Sequence, residues 1–315
     1  MSQPKIPLSP RTWPSWLGAG ALTLVWLLPA RLRNGFAAAL ARHYSRHNTS
    51  QRRTAEINFQ ACFPELDDNA RRAFFTRYLT AMMQSVFLTP RLWWGSALSI
   101  QKYARYHGID YVDAARAVDQ PVVLLVSHTV ALDVGMIAMS PDYPLQGFYK
   151  PFDNPVVDWL VHRSRTRFGG YPVARGNGFR AMIKGLKSGA ILCYLSDEDL
   201  GPKGSVFAPF FGHQKATLAM LSRIVKNTNA VVIPMASYYN AEDDRFDVHF
   251  LAPLKDYPCE TDVLSATKMN EAVEATVRLN PEQYLWKLRL FRTCPDGGGS
   301  RYRRIESGEM TPADL

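Results

Sequence analysis

The stretch Pro121-Val-Val-Leu-Leu-Val-Ser-His128-Thr-Val-Ala-Leu-Asp133-Val-Gly135 decides the fold class of this chain. It opens with a run of apolar, mostly β-branched residues behind a proline, a pattern typical of a strand that is buried on both faces. The strand ends near His128, and the apolar residues 134–139 that follow predict a helix. A histidine at the carboxyl end of a buried strand lies where open α/β sheets place their sites.

His128 and Asp133 form a candidate catalytic pair. If Asp133 lies in the first turn of the predicted helix, its carboxylate can turn back to the imidazole. The acid then fixes the tautomer and stabilises the imidazolium, which leaves the other ring nitrogen free to act as a base. A histidine close to an aspartate is common in proteins, so the position after the buried strand is what favours a catalytic role.

Beyond this stretch, short apolar runs alternate with helical segments. Asn154 followed by Pro155 predicts the start of one helix. The alternation predicts an α/β fold with a mainly parallel central sheet and helices on both faces. Strands are predicted over 145–149, 171–174, 190–195, 230–235 and 246–251, and one of the helices over 217–226.

The N-terminal segment 1–33 is predicted to be a membrane anchor. Residues 1–53 carry eight Lys and Arg and no Asp or Glu, out of a net charge of +9, and residues 12–30 form an uncharged run of nineteen residues with three tryptophans. The run just reaches the length of a spanning helix, and an interfacial helix is the alternative. The cationic excess after it places the bulk of the chain on the cytoplasmic side. Nucleic acid is another partner for a basic arm, but the apolar run favours a membrane.

The remainder, 34–315, is predicted to be one domain with a helical part over 34–120 and an α/β core over 121–295. Charged residues follow several of its predicted strands, where the carboxyl ends of parallel strands share one rim. Such a rim favours a site for an anionic substrate. Its candidate residues are Lys150, Arg175 and the run Asp197-Glu-Asp199, and Arg163, Arg165 and Arg167 follow a predicted helix. The four cysteines have no metal-ligand spacing, and neither a metal nor a cofactor is predicted.

Five blocks of sequence resemble the lipid A biosynthesis late acyltransferases, the Kdo-dependent lauroyl and myristoyl transferases of Gram-negative bacteria. The blocks are Lys150-Pro-Phe-Asp-Asn-Pro-Val-Val-Asp-Trp-Leu160, Ala181-Met-Ile-Lys-Gly-Leu186, Asp197-Glu-Asp-Leu-Gly-Pro202, Ser205-Val-Phe-Ala-Pro-Phe-Phe-Gly212 and Pro281-Glu-Gln-Tyr-Leu-Trp286. The resemblance runs from about Trp13 to Tyr302 and includes His-x-x-x-x-Asp, the first signature of the wider glycerolipid acyltransferase superfamily.

The resemblance implies an enzyme that moves a fatty acyl chain from an acyl-carrier-protein thioester to a hydroxyl of a hydroxyacyl chain on a Kdo-bearing lipid A precursor. It also implies a place at the inner membrane, no cofactor and no nucleic acid partner. His128 falls on the family's general base and Asp133 on its partner. Arg165, Arg175 and Asp197 fall on its functional positions, and Lys150 and Lys203 are further candidates to hold phosphate or carboxylate groups.

The chain departs from the family pattern at two places. Asp133 stands where the lipid A branch more often has Glu, and Lys287-Leu-Arg-Leu290 stands where it has a His-Arg-Arg run. These departures bear on the identity of the acceptor and on one terminal substrate contact. Three alternatives stay open: a lysophospholipid or glycerol-phosphate acyltransferase, a thioesterase, and a non-catalytic membrane protein that binds anionic glycolipid.

Overall fold

The computed structural model of the chain describes residues 5–47, 49–174 and 178–315. Its α-helices are α1 (Trp13–Trp26), α2 (Ala30–Tyr44), α3 (Ser50–Cys62), α4 (Asp68–Trp94), α5 (Ala97–Tyr103), α6 (Asp110–Ala117), α7 (Leu132–Met139), α8 (Pro155–Thr166), α9 (Gly178–Lys187), α10 (Met220–Thr228), α11 (Asp262–Leu279) and α12 (Arg301–Glu306). Its strands are β1 (Ala104–His107), β2 (Val122–Val126), β3 (Leu145–Tyr149), β4 (Tyr171–Ala174), β5 (Ile191–Leu195), β6 (Ser205–Phe210), β7 (His213–Leu218), β8 (Val231–Asn240) and β9 (Arg245–Phe250).

Seven of these strands form one sheet in the order β1-β9-β8-β2-β5-β3-β4, and β6 and β7 form a separate antiparallel hairpin. Every neighbouring pair in the large sheet is parallel except β8 and β9. The prediction of a mainly parallel central sheet is confirmed.

Strand β2 lies inside the sheet, and all five of its residues are buried. Val123 and Leu125 belong to a core cluster that includes residues of α9, α10 and α11. Val122, Leu124 and Val126 belong to a second cluster that includes residues of α6 and α7. Because side chains alternate across a strand, these two clusters lie on opposite faces of the sheet, and helices cover both.

The start of α8 is as predicted: the side chain of Asn154 accepts hydrogen bonds from the main-chain nitrogens of Val156 and Val157 at 3.0 and 3.3 Å. The predicted helix over 217–226 is wrong at its beginning. Residues up to Leu218 pair across the hairpin with β6, and the helix starts only at Met220. The cross-strand partners that hold these residues extended cannot be seen in a local pattern.

The predicted division of the domain needs two corrections. Strand β1 lies within residues 34–120, which were expected to be helical, because it pairs in parallel with β9 from the far end of the domain. The core also extends beyond residue 295, since Tyr302 and Leu315 are buried in the main cluster. Tyr302 donates a hydrogen bond of 2.6 Å to Asn58 and so joins the two ends of the domain.

The uncharged N-terminal run is divided between two helices, because α1 ends at Trp26 and α2 begins at Ala30. Across the described residues, the search for a helix both long and apolar enough to cross a membrane finds none. The predicted boundary between 33 and 34 lies inside α2. Arg33 is only 2% exposed and forms an ion pair with Asp244, so this part of the segment packs against the domain.

Candidate active site

The site is built where β2 and β5 end side by side. The two strands pair in parallel with Val126 opposite Leu195, so the residues two positions further along each strand meet. These residues are His128 and Asp197. One carboxylate oxygen of Asp197 accepts a hydrogen bond from Nδ1 of His128 at 2.5 Å, and the other accepts one from the main-chain nitrogen of His128 at 2.7 Å.

His128 and Asp197 differ in solvent exposure, and their pKa values are shifted in opposite directions. The side chain of His128 is 22% exposed, whereas that of Asp197 is completely buried. Burial lowers the pKa of His128, but the charge and hydrogen bond of Asp197 raise it by more, so the net pKa lies above the usual 6.5. Burial raises the pKa of Asp197, but His128 and then Lys215 lower it below its usual value. Asp197 therefore stays ionised, and the proton on Nδ1 leaves Nε2 available as a base.

Asp133, the expected partner of His128, is bound elsewhere. It lies in the first turn of α7 as predicted, but its carboxylate accepts two hydrogen bonds from Arg165, at 2.9 Å from Nε and at 3.0 Å from Nη2. The predicted contact between Asp133 and His128 is thus wrong in this structure. The register of β2 and β5 places Asp197 beside the imidazole of His128. The last turn of α8 places Arg165 beside Asp133.

Arg165 lies at the edge of the site with part of its guanidinium uncommitted. Its Nη1 atom has no hydrogen-bond partner among the residues that the structure describes. Its Cζ atom lies 5.8 Å from the centre of the Tyr149 ring, at the carboxyl end of β3. A bidentate pair to a fixed carboxylate restricts the guanidinium plane while leaving one nitrogen free to bind an anion.

An apolar cavity of about 160 Å³ opens beside these two residues. His128 and Arg165 both border it, and most of its remaining wall is hydrocarbon from α7, β3 and β5. Representative wall residues are Leu132, Met136, Ile137, Leu145 and Leu195. A mainly apolar cavity with a few polar groups is the usual form of a small-molecule binding site.

The chain matches the family model for bacterial lipid A biosynthesis acyltransferases over residues 3–293. It belongs to this family.

Individual relatives agree with the family match. A lipid A biosynthesis acyltransferase of Haemophilus influenzae is 36% identical, covering 92% of this chain and 91% of the relative. The lipid A biosynthesis myristoyltransferase of Escherichia coli is 32% identical, with coverage of 94% and 92%. The lauroyltransferase of the same organism is 29% identical, with coverage of 94% and 96%. The crystal structure of a 1-acyl-sn-glycerophosphate acyltransferase from Thermotoga maritima covers 84% of this chain and 97% of its own at 14% identity, and its TM-score of 0.38 is too low to carry an argument.

Lys215 is a residue of this candidate site that the sequence did not single out. It lies on β7 and is completely buried, and its Nζ atom donates a hydrogen bond of 2.9 Å to the carbonyl oxygen of Ser196, next to Asp197. Burial lowers the pKa of Lys215 to about 8, and the charges of Asp197 and Asp199 oppose that change. Since a buried charge is costly without a partner, Lys215 compensates the buried carboxylates. No local pattern shows that this lysine is buried.

The segment that follows α11 holds the His128 loop in place. The main-chain nitrogen of Leu285 donates to the carbonyl oxygen of His128 at 2.8 Å, and that of Val130 donates to Gln283 at 2.8 Å. Trp286 is fully buried, and its indole ring packs edge-on against Tyr284 with the ring centres 4.9 Å apart. The block Pro281–Trp286, which the family resemblance singled out, therefore fixes the backbone around the histidine.

The other predicted site residues do not all come together. Lys150 is exposed one residue beyond β3, and Lys203 is exposed in the turn before β6. Neither lysine forms an ion pair within the described part of the chain. Arg175 lies outside the residues that the structure describes. Within the described ranges, no group of His, Cys, Asp and Glu could hold a metal ion.

Lys215→Met is expected to destabilise the fold by about 3 kcal/mol, because it keeps the side-chain volume but leaves buried carboxylates without their cation. The pKa of Asp197 then rises. Stability contributed by an acid with a depressed pKa is lost as pH falls through its folded pKa, so acid unfolding moves to higher pH. Melting temperatures measured from about pH 4 to pH 8 test this. Lys226→Met, at an exposed lysine of α10, is the control; a Lys215→Met protein that melts like it at every pH would rule out charge compensation.

Proposed function

We propose that this protein transfers a fatty acyl chain from an acyl-carrier-protein thioester to a hydroxyl of a hydroxyacyl chain on a Kdo-bearing lipid A precursor. The observation that carries the proposal is the His128–Asp197 pair at the border of an apolar cavity. Membership of the lipid A acyltransferase family supports a lipid A acceptor. The names of the relatives, a myristoyltransferase and a lauroyltransferase, support a fatty acyl donor.

In the proposed reaction His128 acts as a general base. Its Nε2 atom takes the proton of the acceptor hydroxyl as the oxygen attacks the thioester carbonyl carbon. The carbon–sulfur bond of the tetrahedral intermediate then breaks, the thiolate leaves, and the proton on Nε2 passes to the departing sulfur. Asp197 holds the imidazole and stabilises its charged form between the two proton transfers. No covalent enzyme intermediate is needed, because a thioester is already reactive towards an oxygen nucleophile.

The cavity supplies the place for the acyl chain. Its apolar wall borders the base, so a chain lying in it brings the thioester carbonyl to the polar end near His128. Each methylene buried there contributes about 0.8 kcal/mol of binding free energy. Holding the chain in this way places the thioester and the acceptor hydroxyl in a fixed mutual orientation, so that the reaction no longer depends on a chance encounter of the two substrates.

In the proposed reaction, Arg165 binds the anionic part of the substrate. Its Nη1 atom is uncommitted, while Asp133 holds the other side of the guanidinium. In this arrangement Asp133 acts as a positioning residue for the arginine.

His128→Ala is expected to lower acyl transfer by about 100- to 10,000-fold, the usual contribution of a general base. The measurement is the initial rate with acyl-carrier-protein thioester and the Kdo-bearing lipid A precursor. Transfer to a lysophospholipid at the same rate would favour the glycerolipid alternative, and thioester consumption that does not depend on any lipid would favour a thioesterase. A well-folded His128→Ala protein that keeps the wild-type rate would remove the proposed mechanism.

Asp197→Asn is expected to change the pH dependence of the reaction. His128 works as a base only when it is neutral, so the rate rises with pH through a pKa above 6.5 in the wild type. Asparagine removes the negative charge that raises this pKa, so the rising limb moves to lower pH while the maximal rate falls by orders of magnitude. Asp133→Asn keeps the bond from Nδ1 to Asp197 and is the control. If the rising part of the pH–rate profile shifts in Asp133→Asn and not in Asp197→Asn, Asp133 rather than Asp197 is the acid that acts on His128.

We further propose that α1 and α2 bind the cytoplasmic face of the inner membrane. One side of α1 packs on the domain, where Ala19 is buried and the Trp16 and Trp159 ring centres lie 5.6 Å apart. The opposite side exposes apolar residues at helical spacing, and α2 adds a similar stripe. The exposed residues are Trp13, Leu17, Leu24, Leu32 and Phe36. An apolar helix face beside basic residues is the usual form of an interfacial membrane contact.

Replacing Leu17, Leu24 and Leu32 together by Ser is expected to lower binding to anionic vesicles by at least about tenfold, because three exposed leucines no longer enter the bilayer. Flotation with phosphatidylglycerol-containing vesicles measures the bound fraction. The control replaces Val118, Val263 and Leu264 by Ser, which are also exposed apolar residues but lie outside α1 and α2. Equal flotation of the two variants would exclude these helices as the main membrane contact.

A further inference from the structure

A second cavity, of about 410 Å³, lies between the loop that follows β5 and the C-terminal segment. We call it the arginine pocket. It is lined among others by Gly201, Pro202, Arg289, Arg292, Ser300 and Arg303. It shares no lining residue with the apolar cavity, and neither the catalytic proposal nor the predicted set of anion-binding residues includes its arginines.

The positive charge of the arginine pocket is not compensated. Arg289, Arg292 and Arg303 are exposed to solvent, and none forms an ion pair with a residue in the described part of the chain. Neighbouring arginines are engaged, since Arg304 pairs with Asp296 at 3.3 Å and Arg301 donates to the carbonyl oxygen of Gln214 at 2.8 Å. The residues that line the pocket include no Asp or Glu. Three unpaired guanidinium groups around one cavity attract anions.

A neutral donor in the same wall also lacks a partner. The Oγ atom of Ser300 is buried and has no hydrogen-bond partner among the described residues. A buried hydroxyl without a partner costs about 1–3 kcal/mol. Because this oxygen is closed off from solvent, an oxyanion in the pocket would be bound by the arginines and not by Ser300.

The walls of the pocket are tied to the loop of the active site. Asp199, two residues beyond the partner of His128, accepts hydrogen bonds of 2.7 Å from both the main-chain nitrogen and Oγ1 of Thr293. It also accepts one of 2.9 Å from the main-chain nitrogen of Gly201. On the other side, Asn58 donates hydrogen bonds of 2.7 and 2.8 Å to the carbonyl oxygens of Trp286 and Leu288, just before Arg289. The pocket is therefore a preformed part of the domain, continuous with the loop that carries Asp197.

We propose that the arginine pocket binds a phosphomonoester group of the lipid acceptor and so provides a second anion subsite besides Arg165. A phosphomonoester carries close to two negative charges and three terminal oxygens, so it can pair with several guanidinium groups at once, which a single carboxylate cannot do as well. A second anchoring point fixes the orientation of a large acceptor relative to His128. The identity of the lipid rests on the proposed function, whereas the affinity of the pocket for phosphate does not.

The experiment replaces the three arginines together, as Arg289→Gln, Arg292→Gln and Arg303→Gln. Its control, Lys184→Gln, Lys187→Gln and Lys226→Gln, removes the same charge from exposed lysines of α9 and α10 that do not line the pocket. The control therefore reports any general loss of attraction to anionic lipid. Initial rates are measured with the acceptor before and after its phosphate groups are removed by a phosphatase, and melting curves report folding.

The pocket variant is expected to raise KM for the phosphorylated acceptor by about tenfold or more, with kcat within about twofold of the wild type. With the dephosphorylated acceptor, the variant and the wild type should have the same KM. An unchanged KM, or an equal rise for both acceptors, overturns the proposal. A rise in KM for the acyl-carrier-protein thioester alone also overturns it, because the pocket would then dock the acidic carrier protein.

A binding measurement separates this inference from the proposed function. If the wild type transfers no acyl chain to either acceptor, the proposed function fails, and calorimetric titration with inorganic phosphate then decides the role of the pocket. Phosphate binding that is lost in the pocket variant and kept in the lysine control supports the subsite. Equal heats of phosphate binding for the pocket variant and the lysine control exclude the subsite.

Discussion

The buried carboxylate of Asp197 is the constraint on which the rest of the site depends. Both of its oxygens are committed to His128, one to the ring and one to the main chain, so one acid fixes the tautomer and the path of the loop. A carboxylate with no solvent contact is costly unless opposite charge and hydrogen bonds surround it. His128 and Lys215 provide these, which means that β2, β5 and the β6–β7 hairpin must assemble together before the histidine is correctly placed.

The C-terminal segment links His128 to the arginine pocket. Near its start, Leu285 binds the carbonyl oxygen of His128, and further along Thr293 binds Asp199. Asn58, on α3, holds the part between these contacts. A long acceptor that contacts both places would therefore meet one connected scaffold, and the distance between its reacting hydroxyl and its anionic group would be set by the fold rather than by a mobile arm.

The acid of the His-x-x-x-x-Asp signature has a different partner from the one that its spacing suggests. Asp133 lies five residues after His128, yet it binds Arg165 in a bidentate pair. Neighbouring strands lie about 5 Å apart, so the end of β5 delivers an acid directly beside the end of β2. The first turn of α7 instead faces the last turn of α8. The signature thus contributes two residues to the candidate site, a histidine that binds Asp197 and an acid that binds Arg165.

The sequence by itself determined the features that are encoded in contiguous residues. The buried strand β2 and the helix start at Asn154 are present as predicted, although β2 ends at Val126 and so slightly earlier than expected. Strands β3 and β4 have the predicted bounds, and His128 follows the buried strand. The family resemblance also placed Asp197 among the functional residues. Only the tertiary structure decided that Asp197 rather than Asp133 binds the imidazole, that Lys215 is buried, and that β1 joins the sheet beside β9. The reason is physical: periodicity and helix capping act over a few residues, whereas the partner of a buried charge depends on strand register and on side chains that arrive from distant parts of the chain.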